Sequence, residues 1–102
     1  MNDAVVSIKI HWVKESNGGK KVLPSNTQYY VITDPIEDMT GTPTRWSLVI
    51  NIKDNFTNEM GERFGIGTTY FLVENAPSHV LTQGVMLNVF EGPRLVGIIE
   101  VL

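Results

Sequence analysis

Residues 46–53, WSLVINIK, decide the fold of this chain. Apolar side chains occupy every second position from Trp46 to Ile52, and the positions between them are polar except for Val49. A period of two sends alternate side chains to opposite faces of an extended strand. The segment is therefore predicted to be a β-strand with one face in a hydrophobic core.

The composition extends this interpretation to the whole chain. Val, Ile and Thr number 12, 9 and 9 among 102 residues, against 2 Ala and 7 Leu. β-branched side chains suit a pleated surface better than a helix. At this length a second domain would leave each half too small to bury a core. We expect one all-β domain over residues 1–102.

Further short apolar runs recur along the chain, and turn residues separate them. The Asn17-Gly18 pair predicts a tight hairpin turn, and residues 34–45 and 54–68 predict irregular loops. The last two runs flank residues 91–94, EGPR, and predict a hairpin. The predicted strands are 6–12, 22–23, 28–33, 46–53, 70–74, 85–90 and 95–102.

Six or seven short strands with such turns are typical of a barrel or a sandwich. We expect a closed antiparallel barrel of six to seven strands. Its predicted core comprises the apolar side chains Ile8, Ile10, Trp12, Tyr30, Leu48, Ile50, Leu72, Leu87, Phe90 and Ile99.

Charge and residue usage exclude several classes of protein. The net charge is -3, which removes the uniform basic coat that DNA-binding proteins use. The absence of Cys excludes a disulfide scaffold and every thiolate metal site. No apolar run approaches the roughly 18 residues of a membrane-spanning helix. We expect a cytoplasmic protein that binds neither membrane nor DNA.

The residues that could carry catalysis do not form a recognisable constellation. His11 lies on the outer face of a predicted strand, and His79 follows Ser78 without a nucleophile elbow around it. Gly65-Ile66-Gly67 is interpreted as a turn, because a dinucleotide fingerprint would open a helix. The acidic loop 34–38 lacks the spacing of a calcium loop, so a weak calcium site is only the alternative there. We expect no enzyme activity, metal or cofactor.

Two turns concentrate polar donors and are the candidate binding residues. Lysine or arginine beside an exposed backbone N–H suits a phosphate or carboxylate group, and loops on a rigid barrel often carry binding residues. Ordinary hairpin turns are the alternative interpretation. The candidates are Lys20, Lys21, Glu91, Gly92 and Arg94.

Three segments follow one another in an order that is typical of a known family. Residues 15–21, ESNGGKK, form an acidic Gly-Gly turn, and residues 28–34, QYYVITD, form an aromatic strand that ends in Thr-Asp. Residues 90–97 combine an aromatic, a Glu-Gly-Pro-Arg turn and a Val-Gly. Together they resemble domain III, the C-terminal β-barrel domain of translation elongation factor Tu, over about residues 6–102.

The resemblance implies a closed antiparallel barrel. In the elongation factor this barrel packs on a GTPase domain and contacts the T-stem of aminoacyl-tRNA. The five candidate residues match, by position, turn residues on the tRNA side of the family's barrel. The chain departs from the family because it has no GTPase domain, has Pro93 in place of a glycine, and reduces the family's basic and aromatic stretch to residues 22–25.

Sequence and resemblance together predict a stand-alone, non-catalytic binding module. A protein partner or self-association is the expected use of the barrel surface. Weak contact with tRNA-like RNA through the two basic turns is the alternative. A small-ligand-binding barrel is the second alternative.

Overall fold

The computed structural model describes residues 5–38 and 40–102, whose regular structure is eight β-strands and two short 3-10 turns. Short 3-10 turns lie at Glu15–Asn17 and Ser78–Val80. The strands are β1 (Val6–Trp12), β2 (Thr27–Thr33), β3 (Ile36–Glu37), β4 (Pro43–Thr44), β5 (Ser47–Thr57), β6 (Arg63–Phe71), β7 (Met86–Glu91) and β8 (Arg94–Val101).

Six of these strands close into an antiparallel barrel in the order β1-β6-β5-β2-β7-β8, and β8 returns to β1. β3 and β4 form a separate two-stranded hairpin. A closed antiparallel barrel of six to seven strands was predicted, and the observed barrel has six. The predicted C-terminal hairpin is also confirmed, since β7 pairs with β8 from Met86–Glu100 to Glu91–Arg94.

The barrel interior is filled by apolar side chains from all six strands. The alternating face of residues 46–52 is buried as predicted, and Ile50 has no exposed surface. The Trp12 indole N–H donates to Asn55 Oδ1 at 2.8 Å, and the Asn55 amide donates to the Pro24 carbonyl at 2.7 Å, so this network covers one end of the barrel. The buried apolar residues are Ile8, Ile10, Trp12, Val31, Trp46, Leu48, Val49, Ile50, Ile52, Phe71, Leu81, Val89, Val96, Ile99 and Val101.

Four residues of the predicted core are not fully buried. Tyr30 is 53% exposed and Leu72 is 51% exposed. Tyr30 is on the outer face because its neighbour Val31 points inward, and Leu72 follows the end of β6. Leu87 packs against the core but is only partly buried. The Phe90 ring is half-buried, and the Arg45 guanidinium lies 4.8 Å from its centroid.

The turn after β1 differs from the prediction. Asn17-Gly18 ends a 3-10 turn and does not join two paired strands. Residues 22–23 form no strand, and β1 pairs instead with the distant strands β6 and β8. The prediction of a local hairpin was wrong because both strands that pair with β1 come from the second half of the chain.

The two predicted loops contain regular structure. Residues 34–45 include the β3–β4 hairpin, and residues 54–68 include the end of β5 and the start of β6. Gly65 and Gly67 are therefore strand residues and not a turn. The predicted strand 70–74 stops at Phe71.

Candidate functional site

Two of the candidate residues meet in an ion pair. The Lys20 ammonium donates to both carboxylate oxygens of Glu91, at 3.2 Å to Oε1 and 3.0 Å to Oε2. The two residues are 71 positions apart in sequence. The fold therefore brings the two candidate turns together.

Tyr29, which sequence reasoning did not include in the site, lies beneath this ion pair. Lys20 Nζ lies 5.2 Å from the Tyr29 ring centroid, and the Trp12 and Tyr29 ring centroids are 6.0 Å apart. The Tyr29 hydroxyl is buried and has no hydrogen-bond partner of normal geometry among the described residues. Burial, followed by the nearby Glu91 carboxylate, raises the pKa of Tyr29 well above its usual range. Tyr29 therefore remains a neutral phenol.

Arg63, which sequence reasoning also missed, fixes the backbone that carries Lys20. Its guanidinium donates to the Lys20 carbonyl at 2.8 Å and to the Val13 carbonyl. Gly19 fits between these groups because a Cβ there would lie 1.9 Å from the Val13 oxygen. Local sequence gives no signal for this bridge, because Arg63 lies 43 residues from Lys20.

The other three candidates surround the ion pair on the surface. Arg94 is opposite Glu91 in the β7–β8 register, and Gly92 lies in the turn between these two strands. Lys21, Gly92 and Arg94 are all exposed. Three cations and one carboxylate leave this region positively charged within an acidic chain. We call the five candidate residues the basic turn pair.

The ion pair gives the protein a specific response to acid. The Lys20 hydrogen bond lowers the pKa of Glu91 below its ordinary value. A lowered pKa in the folded state adds stability above the unfolded-state pKa, and this stability is lost as the pH falls through the folded-state value. The carboxylate is 40% exposed, which limits the contribution to about 1 kcal/mol or less.

We expect Glu91→Gln to lower the free energy of unfolding slightly at pH 7 and to have a smaller effect at about pH 3, because the ion-pair stability declines as the carboxylate is protonated. Urea unfolding followed by tryptophan fluorescence at both pH values measures this difference. Glu59→Gln is the matched control, since Glu59 is exposed in the β5–β6 turn. An equal loss at both pH values would contradict the ion-pair assignment.

A second feature is an apolar outer surface across β2, β5 and β6. Tyr30, Val49 and Tyr70 are cross-strand neighbours in one row. Val49 is only 1% exposed although it lies on the outer face, because the two tyrosines flank it. Ile32 and the exposed Leu72 lie beside Ser47, which is two positions from Val49 on the same face of β5. We call Ile32, Tyr30, Val49, Tyr70 and Leu72 the tyrosine face.

A groove adjoins the tyrosine face at Gln28. Its volume is about 780 Å³, and its lining includes Ser7, Gln28, Asn51, Lys53 and Thr68. The Tyr30 hydroxyl donates to the Gln28 side chain at 3.2 Å, so the groove and the tyrosine face are continuous. The lining combines these polar groups with the apolar side chains of Ile8, Ile52, Ile66 and Leu102.

His11 and the acidic loop have side-chain partners within the fold, whereas His79 is exposed. His11 Nε2 lies 3.1 Å from Glu100 Oε1. Asp38 Oδ1 accepts hydrogen bonds from the Thr40 amide and hydroxyl and from the Thr42 amide, which closes the β3–β4 turn. Within the described residues, no cluster of three or more His, Asp or Glu is arranged to hold a metal ion.

Comparison of the chain with protein-family models, with curated proteins and with solved structures finds no match. In residues 5–38 and 40–102, the structure has no helix with the length and hydropathy to cross a membrane.

Proposed function

We propose that this protein is a non-catalytic binding module that recognises a protein partner through the tyrosine face. The observation that carries the proposal is the exposure of Tyr30 beside a contiguous row of apolar side chains. Soluble proteins rarely leave such a surface uncovered without a binding role. Tyrosine is enriched at interfaces because its rigid ring and hydroxyl give contact area at low entropic cost.

The charges of the basic turn pair favour a protein over RNA. The Lys20 ammonium already forms an ion pair with the Glu91 carboxylate, at 3.0 Å. An RNA phosphate would have to compete with that carboxylate, so Lys21 and Arg94 remain as the available cations. Two or three phosphate contacts supply little affinity, because each contact adds only one released counterion.

The finer assignment of the fold is also part of this proposal. The barrel is proposed to be a stand-alone counterpart of domain III of elongation factor Tu. The turn motifs at residues 15–21 and 90–97 support it, together with the closed antiparallel architecture.

The function is tested with an identified partner. Proteins captured by the tagged chain with and without nuclease are identified, purified and titrated by calorimetry against variants. Tyr30→Ala should weaken binding at least about tenfold, which corresponds to about 1.4 kcal/mol. Phe56→Ala is the matched control, because Phe56 is 47% exposed but lies outside the tyrosine face.

Self-association is measured separately by sedimentation equilibrium of the wild type and Tyr30→Ala. A dimer that dissociates in Tyr30→Ala would identify a second copy as the partner. Equal affinity of Tyr30→Ala and Phe56→Ala for the partner would overturn the proposed surface. Capture that disappears with nuclease would point to RNA.

RNA affinity is expected to be no tighter than about 10 μM at physiological salt, as for non-specific binding. Three phosphate contacts from the basic turn pair would give a log-affinity slope in salt of about -2 for single strands or -3 for duplex. A fluorescence titration against bulk tRNA measures both quantities. Submicromolar affinity that the double variant Lys20→Ala with Arg94→Ala abolishes would favour RNA over the protein partner.

A further inference from the structure

At the seam between β2 and β7, part of a strand edge in the barrel is left without a strand partner. β2 pairs with β5 from Thr27 to Ile32, but its pairing with β7 covers Ile32–Phe90 and Thr33–Val89 alone within the described residues. β7 ends at Glu91, and Gly92 begins the turn to β8. The first half of β2 therefore extends past the end of its neighbour.

The direction of the backbone groups along β2 follows from its ladder with β5. The Thr33 amide donates to the Trp46 carbonyl at 2.9 Å. Backbone groups of an antiparallel strand alternate in direction, so Thr27, Tyr29 and Val31 also face β5. Gln28 and Tyr30 then direct their N–H and C=O groups to the seam.

The ladder with β7 stops at Ile32, and no backbone hydrogen bond from a turn or loop reaches these edge groups among the described residues. The Gln28 carbonyl accepts only a long 3.5 Å contact from the Thr27 hydroxyl. The two edge residues, Gln28 and Tyr30, are exposed. Unpaired N–H and C=O groups on an exposed strand are a template for one further strand. An extended peptide is the ligand whose own backbone matches that spacing.

The charges beside the seam indicate the composition of that peptide. Arg94 is close enough to Tyr29 and Glu91 to influence both of them electrostatically, and Lys20 lies over the Tyr29 ring. Lys21 adds a further exposed cation. Because Lys20 is paired with Glu91, Arg94 and Lys21 are the cations that an acidic strand would complement. Alternate side chains of that strand would lie beside the exposed Tyr30 ring.

We propose that the seam of β2 at Gln28 and Tyr30 binds an acidic, extended segment of a partner protein by β-strand addition. This inference rests on the proposed function, because it names the mode by which the protein partner is held. Tyr30 belongs to both surfaces, so one extended segment would bond to the edge and cover part of the tyrosine face.

The test uses the full chain and a blocked heptapeptide of sequence TVEVEVT as the probe. Amide shifts are followed by NMR during the titration, and hydrogen exchange is measured at saturation. The Gln28 and Tyr30 amides should shift and become protected from exchange. The probe TVKVKVT should bind at least about tenfold more weakly at low salt, because the seam is cationic.

Backbone bonding is tested by N-methylation of every second residue of the acidic probe, in both registers. One of the two methylated peptides should lose at least about tenfold in affinity, equivalent to one or two hydrogen bonds. On the protein, Gln28→Pro should lose binding while Gln28→Ala retains it, since proline is tolerated at an edge but donates no bond. The titrations with the methylated peptides and with TVKVKVT test strand addition even if Gln28→Pro fails to fold.

Four outcomes would overturn strand addition: no saturable binding of TVEVEVT at millimolar concentration, unchanged Gln28 and Tyr30 amides, equal binding of both methylated peptides, or equal binding of TVKVKVT. The failure of this mode is separable from the failure of the proposed function. A purified partner that binds Gln28→Pro normally but not Tyr30→Ala would leave the function standing and exclude strand addition.

Discussion

A chain without residues 95–102 is expected to lose cooperative folding. This segment makes up most of β8, which pairs with β1 on one side and β7 on the other. It buries Val96, Ile99 and Val101. At about 1.5–3 kcal/mol each, these side chains match a large part of a domain's stability of about 5–15 kcal/mol. Calorimetry should show no unfolding transition for the truncated chain.

Two isoleucines of β8 provide the matched point variants. Ile99 has no exposed surface, whereas its neighbour Ile98 is partly exposed on the outer face. Ile99→Ala should lower the free energy of unfolding by about 2–5 kcal/mol, and Ile98→Ala by about 1 kcal/mol or less. A truncated chain that still melts cooperatively, or equal effects of the two variants, would contradict the role of β8 as the closing strand.

Gly67→Ala is expected to be the most damaging single methyl addition in the barrel. A Cβ at Gly67 would lie 1.9 Å from the Asn51 carbonyl oxygen and 3.1 Å from the Ile52 Cα. Both are backbone atoms of β5, so relief requires the two strands to move apart. We expect a loss of about 3 kcal/mol or more, since overpacking of side chains alone costs about 1–3 kcal/mol.

Thermal unfolding followed by circular dichroism measures this loss. For a chain of this size, about 3 kcal/mol corresponds to a fall in Tm of more than about 12 °C. Thr68→Ala is the matched control, because Thr68 is the next residue of β6 and is only partly buried. A Gly67→Ala protein that melts within a few degrees of the wild type would show that β5 and β6 are not so closely apposed.

The strands that sequence predicted well are those in which a regular alternation coincides with barrel geometry. Residues 46–52 and β1 alternate cleanly, and both are correct. β6 was missed at its start because Gly65 and Gly67 remove the apolar signal at the inward positions. These positions hold glycine because β5 and β1 leave no room for a Cβ there. The crowding comes from neighbouring strands and leaves no trace in local periodicity.

For a similar reason, sequence accounts for only part of the arrangement around the candidate residues. Residues 20–21 and 91–94 attracted attention through charge and turn composition, and the fold does bring Lys20 and Glu91 together. The contribution of Arg63 depends on a contact across 43 residues. That of Tyr29 depends on the pairing of Lys20 with Glu91 above its ring, across 71 residues. The unpaired edge of β2 depends on where β7 ends relative to β2, which is a property of register alone.

The closure of the barrel between β1 and β8 has a consequence for the order of folding. His11 and Glu100, which meet across this closure, are 89 residues apart in sequence. Bringing such distant segments together costs loop entropy before any contact repays it, so chains of this topology fold over milliseconds to seconds. The β5–β6 hairpin can form from neighbouring residues, whereas the contact between the first and last strands must form late. Until that step, the N–H and C=O groups along β1 and β8 remain available to other chains, and the interval before closure is when this protein is most exposed to misassembly.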